Sequence, residues 1–219
     1  VKLLCAVVFT ACSVARLSAQ TPTPAAVASR PPVLQFRPFV LATAERFAAG
    51  TTFNAAFGSR TAAFYGGGLQ IATRHGVFVD LSASHVSRTG QRAFVSNGEI
   101  FQLGIPLKIS LTPVEVTGGY RMKLRRHPRI VPYAGGGAGW YRYKETAEFA
   151  SGNDDVETTH SGFFFLGGTE VRLSRWVVAA ADAQYTVVPG ILGQGGLSKD
   201  VGENNLGGVA ARIRVILGR

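Results

Sequence analysis

From Val114 to Lys144 hydrophobic and polar residues alternate with a strand's period. Val114, Val116, Tyr120 and Met122 share one parity, and Glu115, Thr117, Arg121 and Lys123 share the other. Side chains two apart point to the same face of a strand, so this segment has one apolar and one charged face. After the basic break Arg125-Arg126-His127-Pro128-Arg129, the residues Val131, Tyr133, Tyr141 and Tyr143 fall on one parity, with Arg142 and Lys144 on the other. Aromatics near both ends of an apolar face, separated by glycines, predict a lipid-facing wall with interface girdles.

The same period recurs along the chain. A strand over about 33–48 has muddy alternation, with Glu45 and Arg46 adjacent, so one of the two is expected at a rim or bulge. A loop follows over 50–61. The next strand, about 63–72, directs Tyr65, Leu69 and Ile71 outward and Gln70 inward, and the turn Thr73-Arg74-His75-Gly76 returns the chain into a strand over 77–87. There Val77, Val79, Leu81 and Ala83 oppose Asp80, Ser82 and Ser84, and a second loop is expected over 88–98. The odd residues from Phe101 to Leu111 are apolar, and Val114 and Val116 resume on even positions after Pro113, which predicts a bulge at the proline within one long strand. Strands over about 130–146, 160–173, 176–188 and 206–217 complete the pattern, joined by an acidic loop, the turn Ser174-Arg175 and a Gly-rich loop.

Eight strands, with short turns at one end and longer loops at the other, predict an all-β fold, an eight-stranded antiparallel transmembrane up-and-down β-barrel. An even count and closure satisfy every backbone group within lipid. The long loops, near 50–61, 88–98, 148–159 and 189–204, are expected to face outside the cell. Helices of any length are not indicated in a chain with 27 glycines.

Composition refines this picture. The 219 residues, 46% of them hydrophobic, suit one domain. Residues 1–19 have the basic start, apolar stretch and small-residue end of a signal peptide, and 20–32 read as a Pro/Ala-rich tether, leaving 33–219 for the barrel. Both cysteines, Cys5 and Cys12, lie in the leader, so no disulfide or thiol chemistry is expected of the mature chain. The net charge of +10 invites a nucleic-acid reading, but the basic residues collect at strand ends or alternate within strands. Acidic residues gather instead in the loop with Glu145, Glu148, Asp154, Asp155 and Glu157. Two ends of different charge fit a protein between two environments, and no nucleic-acid partner is expected.

Parity assigns a lumen charge network to Asp80, Glu115, Arg121, Lys123, Arg142, Lys144, Glu170, Arg172, Asp182, Arg212 and Arg214, with Gln70 and Gln184 beside them. Two functions are open to it. Basic residues outnumber acids, which suits an anion-favouring conduit. Charges in a narrow, poorly solvated lumen also pair, which suits a salt-bridged plug, and eight-stranded interiors are just wide enough for side chains to fill. His75 and His127 lie in turns, His160 borders the acidic loop, and Asn153-Asp154-Asp155 lacks calcium-loop spacing, so neither metal nor cofactor is expected.

Val131-Pro-Tyr-Ala-Gly-Gly-Gly-Ala-Gly-Trp-Tyr, the preceding Val116-Thr-Gly-Gly-Tyr-Arg, the leader and the alternating last strand resemble the small outer-membrane barrels of the OmpA/OmpX/OmpW-like type. The resemblance spans about 33–219 and implies residence in the outer membrane, contact with its lipid and lipopolysaccharide, insertion by the barrel-assembly machinery, and a structural, loop-mediated or narrow-pore role with a loop ligand that the residues do not identify. Such barrels usually end in an aromatic, whereas this chain ends Ile216-Leu-Gly-Arg219. A second, shorter resemblance concerns His85, Ser87 and Glu99. His-x-Ser followed by Glu after a Gly-containing loop is similar to the lipid A deacylase barrels, which implies His85 as base, Ser87 as nucleophile and Glu99 orienting the imidazole. Arg88 stands where that family has an Asn. The alternatives to a non-enzymatic barrel are therefore a lipid A-modifying acyl hydrolase and a soluble periplasmic ligand-binding barrel with a lumen less charged than its outside.

Overall fold

A computed structural model describes residues 34–96, 99–147, 156–193 and 196–218. The leader, the tether, both cysteines, Glu148 and Asn153-Asp154-Asp155 lie outside the described residues. The eight strands are β1 (Leu34–Phe47), β2 (Thr61–Thr73), β3 (Val77–Ser96), β4 (Glu99–Arg121), β5 (Ile130–Ala147), β6 (Val156–Arg172), β7 (Val177–Val187) and β8 (Gly208–Leu217). Each pairs antiparallel with the next, and β1 pairs with β8 to close the barrel. Closure gives every strand a ladder partner on each side within the wall, while β3 beyond His85 and β4 before Leu107 run past their other neighbours and pair with each other.

Period-two alternation produces the wall. In β8 burial alternates at every residue, with Val209, Ala211, Ile213, Val215 and Leu217 outward and Arg212 and Arg214 inward. The 11 residues of β7 and 10 of β8 match the 9–11 a tilted strand needs to cross a bilayer core. The 20 residues of β3 and 23 of β4 are about twice that, so this hairpin continues well past the apolar band. The outer aromatics include Phe36, Tyr120 and Trp176 toward the turn end, and Tyr65, Trp140, Phe163, Phe165 and Tyr185 toward the loop end, all exposed. Inside, Phe39, Phe78, Tyr133 and Phe164 pack in one buried cluster. Gly119 makes room for Phe78, whose ring would lie 2.5 Å from a Cβ at that position.

Several sequence expectations need correction. The segment 50–61 is not a loop throughout, because Gly50–Phe57 forms a helix, α1, and a second short helix, α2 (Gly196–Asp200), lies in the Gly-rich connection. Most of the loop expected over 88–98 is strand: β3 runs to Ser96, which pairs with Glu99 at the start of β4. Pro113 carries no bulge, since β4 keeps one register with β5 through Thr112↔Arg142, Pro113↔Tyr141 and Val114↔Trp140. The register shift in the β3–β4 ladder lies instead between Gln91 and Ala93. Of the two alternatives for Glu45-Arg46 the rim holds and the bulge does not: Arg46 is exposed next to the end of β1, which pairs without interruption through both.

One physical cause unites the misread parities. Within the apolar band, apolar side chains face outward and polar ones inward. Beyond it the outer wall meets water, and the preference reverses with no break in the strand. On β4, Leu107, Ile109 and Leu111 face inward and are buried, while Val116, farther down, faces out. On β5, Tyr133, Tyr141 and Tyr143 are buried inside, and Trp140 belongs to the girdle. Tyrosine suits the lumen because its ring fills space while its hydroxyl reaches a carboxylate.

Candidate functional site: a filled lumen and its capped mouth

The lumen is crossed by ion pairs between distant strands. Arg214 Nη1 contacts Asp80 at 2.7 Å and its Nε lies 3.3 Å from Asp182. Arg212 Nε donates to Asp182 at 2.6 Å and its Nη1 lies 3.6 Å from Glu115. The Tyr133 hydroxyl donates to Asp182 at 2.6 Å and that of Tyr141 to Glu115 at 2.8 Å, which also accepts from Gln184. The Arg214 guanidinium sits 5.4 Å from the Phe39 ring centre and 5.1 Å from that of Tyr133, so two aromatic faces supplement its carboxylates. Nearer the turn end, Glu170 accepts from Arg37 at 3.0 Å and from Arg121 at 2.8 Å, and Arg37 also donates to Gln70. Charges this deeply buried are tolerable when paired, and each of these faces an opposite charge, although Asp80 Oδ1, Arg121 Nε and Arg214 Nη2 are buried without a hydrogen-bond partner. The cavity left within this layer, beside Glu45, Glu115, Tyr141 and Arg212, has about 20 Å³, room for roughly one water.

Asp80, Glu115, Arg121, Glu170, Asp182, Arg212 and Arg214 thus meet in the lumen with Gln70 and Gln184. The others do not join them. Arg142 and Lys144 stand on the outer wall, where Arg142 pairs with Glu157 in solvent. Lys123 is exposed at the turn end and donates to the Arg74 carbonyl at 2.7 Å, and Arg172 is exposed at the same rim. Arg37, Glu45, Tyr133 and Tyr141 escaped the parity reading. Arg37 lies two residues before the inward Phe39, and that spacing was the available signal.

Toward the loop end the lumen becomes apolar. Phe47, Phe53, Phe64, Val86, Ile109, Leu111, Tyr143, Val188 and Leu206 form a second buried cluster, into which α1 inserts Phe53 stacked on Phe47 at 4.1 Å between ring centres. Gly90 lets the helix approach β3: a Cβ there would lie 2.2 Å from the Ala56 carbonyl oxygen. Arg88 clamps the segment after the helix, donating to the Ser59 carbonyl at 3.1 Å and the Thr61 carbonyl at 2.7 Å. At the other end of α1, Glu203 from the β7–β8 connection accepts the Thr51 and Thr52 backbone N–H groups, each at 2.8 Å. Partial burial opposes the charge on Glu203, but the hydrogen bonds from Thr52 and Thr51 outweigh it and hold the carboxyl below the usual glutamate range. Above the plug lies an open depression of about 550 Å³ bordered by Thr51, Asn54, Arg60 and Glu203.

His85, Ser87 and Glu99 do not converge. His85 and Ser87 face outward on β3, and His85 Nδ1 lies 2.8 Å from Thr112 Oγ1. Glu99 pairs across from Ser96, nine residues along β3 from Ser87, or about 30 Å at the usual rise per residue. Among the described residues no group of three or more His, Cys, Asp or Glu could hold a metal ion. The charged lumen behind an apolar wall is the reverse of what a soluble ligand-binding barrel requires.

No protein-family model and no curated protein matches the chain. Solved structures do. A major outer membrane protein from Thermus thermophilus aligns with a TM-score of 0.52 at 10% identity, over 85% of this chain and 99% of that one. Outer membrane protein OprG from Pseudomonas aeruginosa aligns at 0.46 with 13% identity, over 84% and 93%. Neisserial surface protein A aligns at 0.45 with 12% identity, over 85% and 95%. The fold is that of the small outer-membrane β-barrels.

Proposed function

We propose that the chain is an integral outer-membrane protein whose barrel is a closed, non-conducting anchor, with short turns in the periplasm and a fixed polar surface at the loop end for contact with an extracellular ligand. The observation that carries this reading is the double closure of the lumen. Ion pairs cross its middle, and the α1 plug fills the mouth above them with apolar side chains. A narrow conduit for anions would need arginines facing a continuous water path; here the arginines are spent on carboxylates, and the space between is about that of one water. The outer wall, apolar between two aromatic levels, fits lipid, with Arg142 and Lys144 just beyond the upper level, where lipopolysaccharide phosphates would lie. On this reading the chain is not an enzyme, and its partners are the surrounding lipid, the barrel-assembly machinery during insertion and the loop ligand.

Two measurements test it. Folded protein recovered in the outer-membrane fraction should migrate differently on gels before and after boiling. The same protein in planar bilayers should give no current steps at either polarity. Steady, anion-selective conductance by the intact protein would overturn the closed-anchor reading in favour of a pore.

A further inference from the structure

The turn end of the barrel is basic without relief. The segments 73–77, 121–130 and 172–177 contain Arg74, Arg121, Lys123, Arg125, Arg126, Arg129, Arg172 and Arg175 and no Asp or Glu. Most of these side chains are spread on the surface, but three converge. Arg121, Lys123 and Arg172 line a recess of about 140 Å³ in the lumen mouth, whose remaining wall includes Leu124, Pro128 and Val131. Its charge is unbalanced: behind Arg121 stands Arg37, and both lean on the one carboxylate of Glu170. Arg121 Nε is buried and has no hydrogen-bond partner. Arg172 is exposed, and Lys123, also exposed, is held over the recess by its bond to the Arg74 carbonyl.

Three cations lining one recess with an apolar side, with Arg37 and the single carboxylate of Glu170 behind Arg121, concentrate positive potential there. We infer that this recess binds a phosphate group. Arg172 and Arg121 supply planar N–H donors and Lys123 a compact ammonium, the pairing that tetrahedral oxyanions take. Its volume is several times the roughly 30 Å³ share of one liquid water, enough for a phosphate and its first waters. Leu124, Pro128 and Val131 give the recess an apolar side along which the stem of a phospholipid could lie. The phosphate therefore comes from one of two sources, an anionic phospholipid headgroup of the leaflet at the turn end or a free phosphate species in solution.

The test uses the full chain folded in neutral detergent and phosphate-free buffer. Inorganic phosphate and a water-soluble short-chain phosphatidylglycerol are titrated by calorimetry against three proteins: the unaltered chain, Lys123→Gln/Arg172→Gln in the recess, and Arg125→Gln/Arg126→Gln on the exposed turn. Heat-dependent gel mobility verifies that each is folded, and Lys123→Gln alone replaces the recess pair if the double variant is not. Saturable binding weakened about tenfold or more by the recess substitutions, with less than about a twofold change in the exposed control, supports the site. Saturation by inorganic phosphate then assigns a free phosphate, and saturation by phosphatidylglycerol alone assigns the headgroup. Absence of saturable binding of either probe, or equal weakening in both variants, overturns it.

Discussion

Glu203 caps a helix 152 residues away in sequence: its carboxylate accepts the Thr51 N–H at 2.8 Å and, through the other oxygen, that of Thr52. Ala49, at the N-cap position of α1, offers no side-chain bond of its own. Eight residues are too few for a helix to persist unaided, so α1 depends on this contact, on Phe53 and on the Arg88 clamp. Glu203→Ala should cost about 1 kcal/mol locally, a typical cap loss, and speed amide exchange across 50–57 roughly fivefold. Exchange in β7 and β8 should not change.

The same carboxylate makes the plug sensitive to acid. Its folded value lies below the ordinary glutamate value, so its contribution is complete above that ordinary value and is lost as pH falls through the depressed one. Exchange in 50–57 should therefore accelerate on going from about pH 7 to about pH 3, after correction for intrinsic exchange. Glu203→Gln should remove the part of this acceleration that comes from the cap. An unchanged pH profile in that variant would assign the sensitivity to another group.

Leu111 and Val114 explain how much of this was legible in the sequence. Three residues apart on one unbroken strand, they face opposite sides of the wall, and only their environments differ. Alternation alone reveals that a strand exists and which residues share a face, which is why the eight strands and seven of the lumen charges could be read directly. It does not reveal what lies beyond each face at a given height. Where lipid gives way to water outside and to α1 inside, the preferences exchange, so Arg142 and Lys144 looked like lumen residues and Tyr141 and Tyr143 like a girdle. The plug was hidden for a related reason. Its short helix gains its order from residues far away in sequence, Glu203 and Arg88, which no local pattern encodes.

Asp182 is the lumen carboxylate that faces two arginines of β8, taking Arg212, Arg214 and the Tyr133 hydroxyl. Asp182→Asn leaves two buried guanidiniums short of one counter-charge. Removing one partner of a buried pair typically costs about 3–5 kcal/mol, and a loss of that order is expected in urea unfolding of the lipid-embedded barrel. Arg142→Gln, which breaks the solvent-exposed pair with Glu157, should cost under about 1 kcal/mol. Equal effects from the two substitutions would mean that the lumen pairs are far better hydrated than their burial implies.

With His85 bonded to Thr112 and Glu99 about 30 Å from Ser87, the outer wall of β3 lacks an assembled nucleophile. Expression of the protein should leave the mass of lipid A unchanged, and Ser87→Ala should be indistinguishable from the unaltered chain. Loss of an acyl group that depends on Ser87 would contradict this.

Gly90 separates the two closures of the lumen. Its missing Cβ admits α1, since an added methyl would stand 2.2 Å from the Ala56 carbonyl and 2.5 Å from the Phe57 ring. Valine suits a strand, so Gly90→Val should leave β3 paired and the barrel intact while forcing α1 away from the wall. Amides of 50–57 should then exchange nearly as fast as in an unstructured peptide, and the gel shift on boiling should persist. Bilayers should still record no current, because Asp80, Asp182, Arg212 and Arg214 cross the lumen beneath the plug and do not touch α1. Current from Gly90→Val alone would mean that the apolar plug is the seal and that the ion pairs beneath it let water and ions pass.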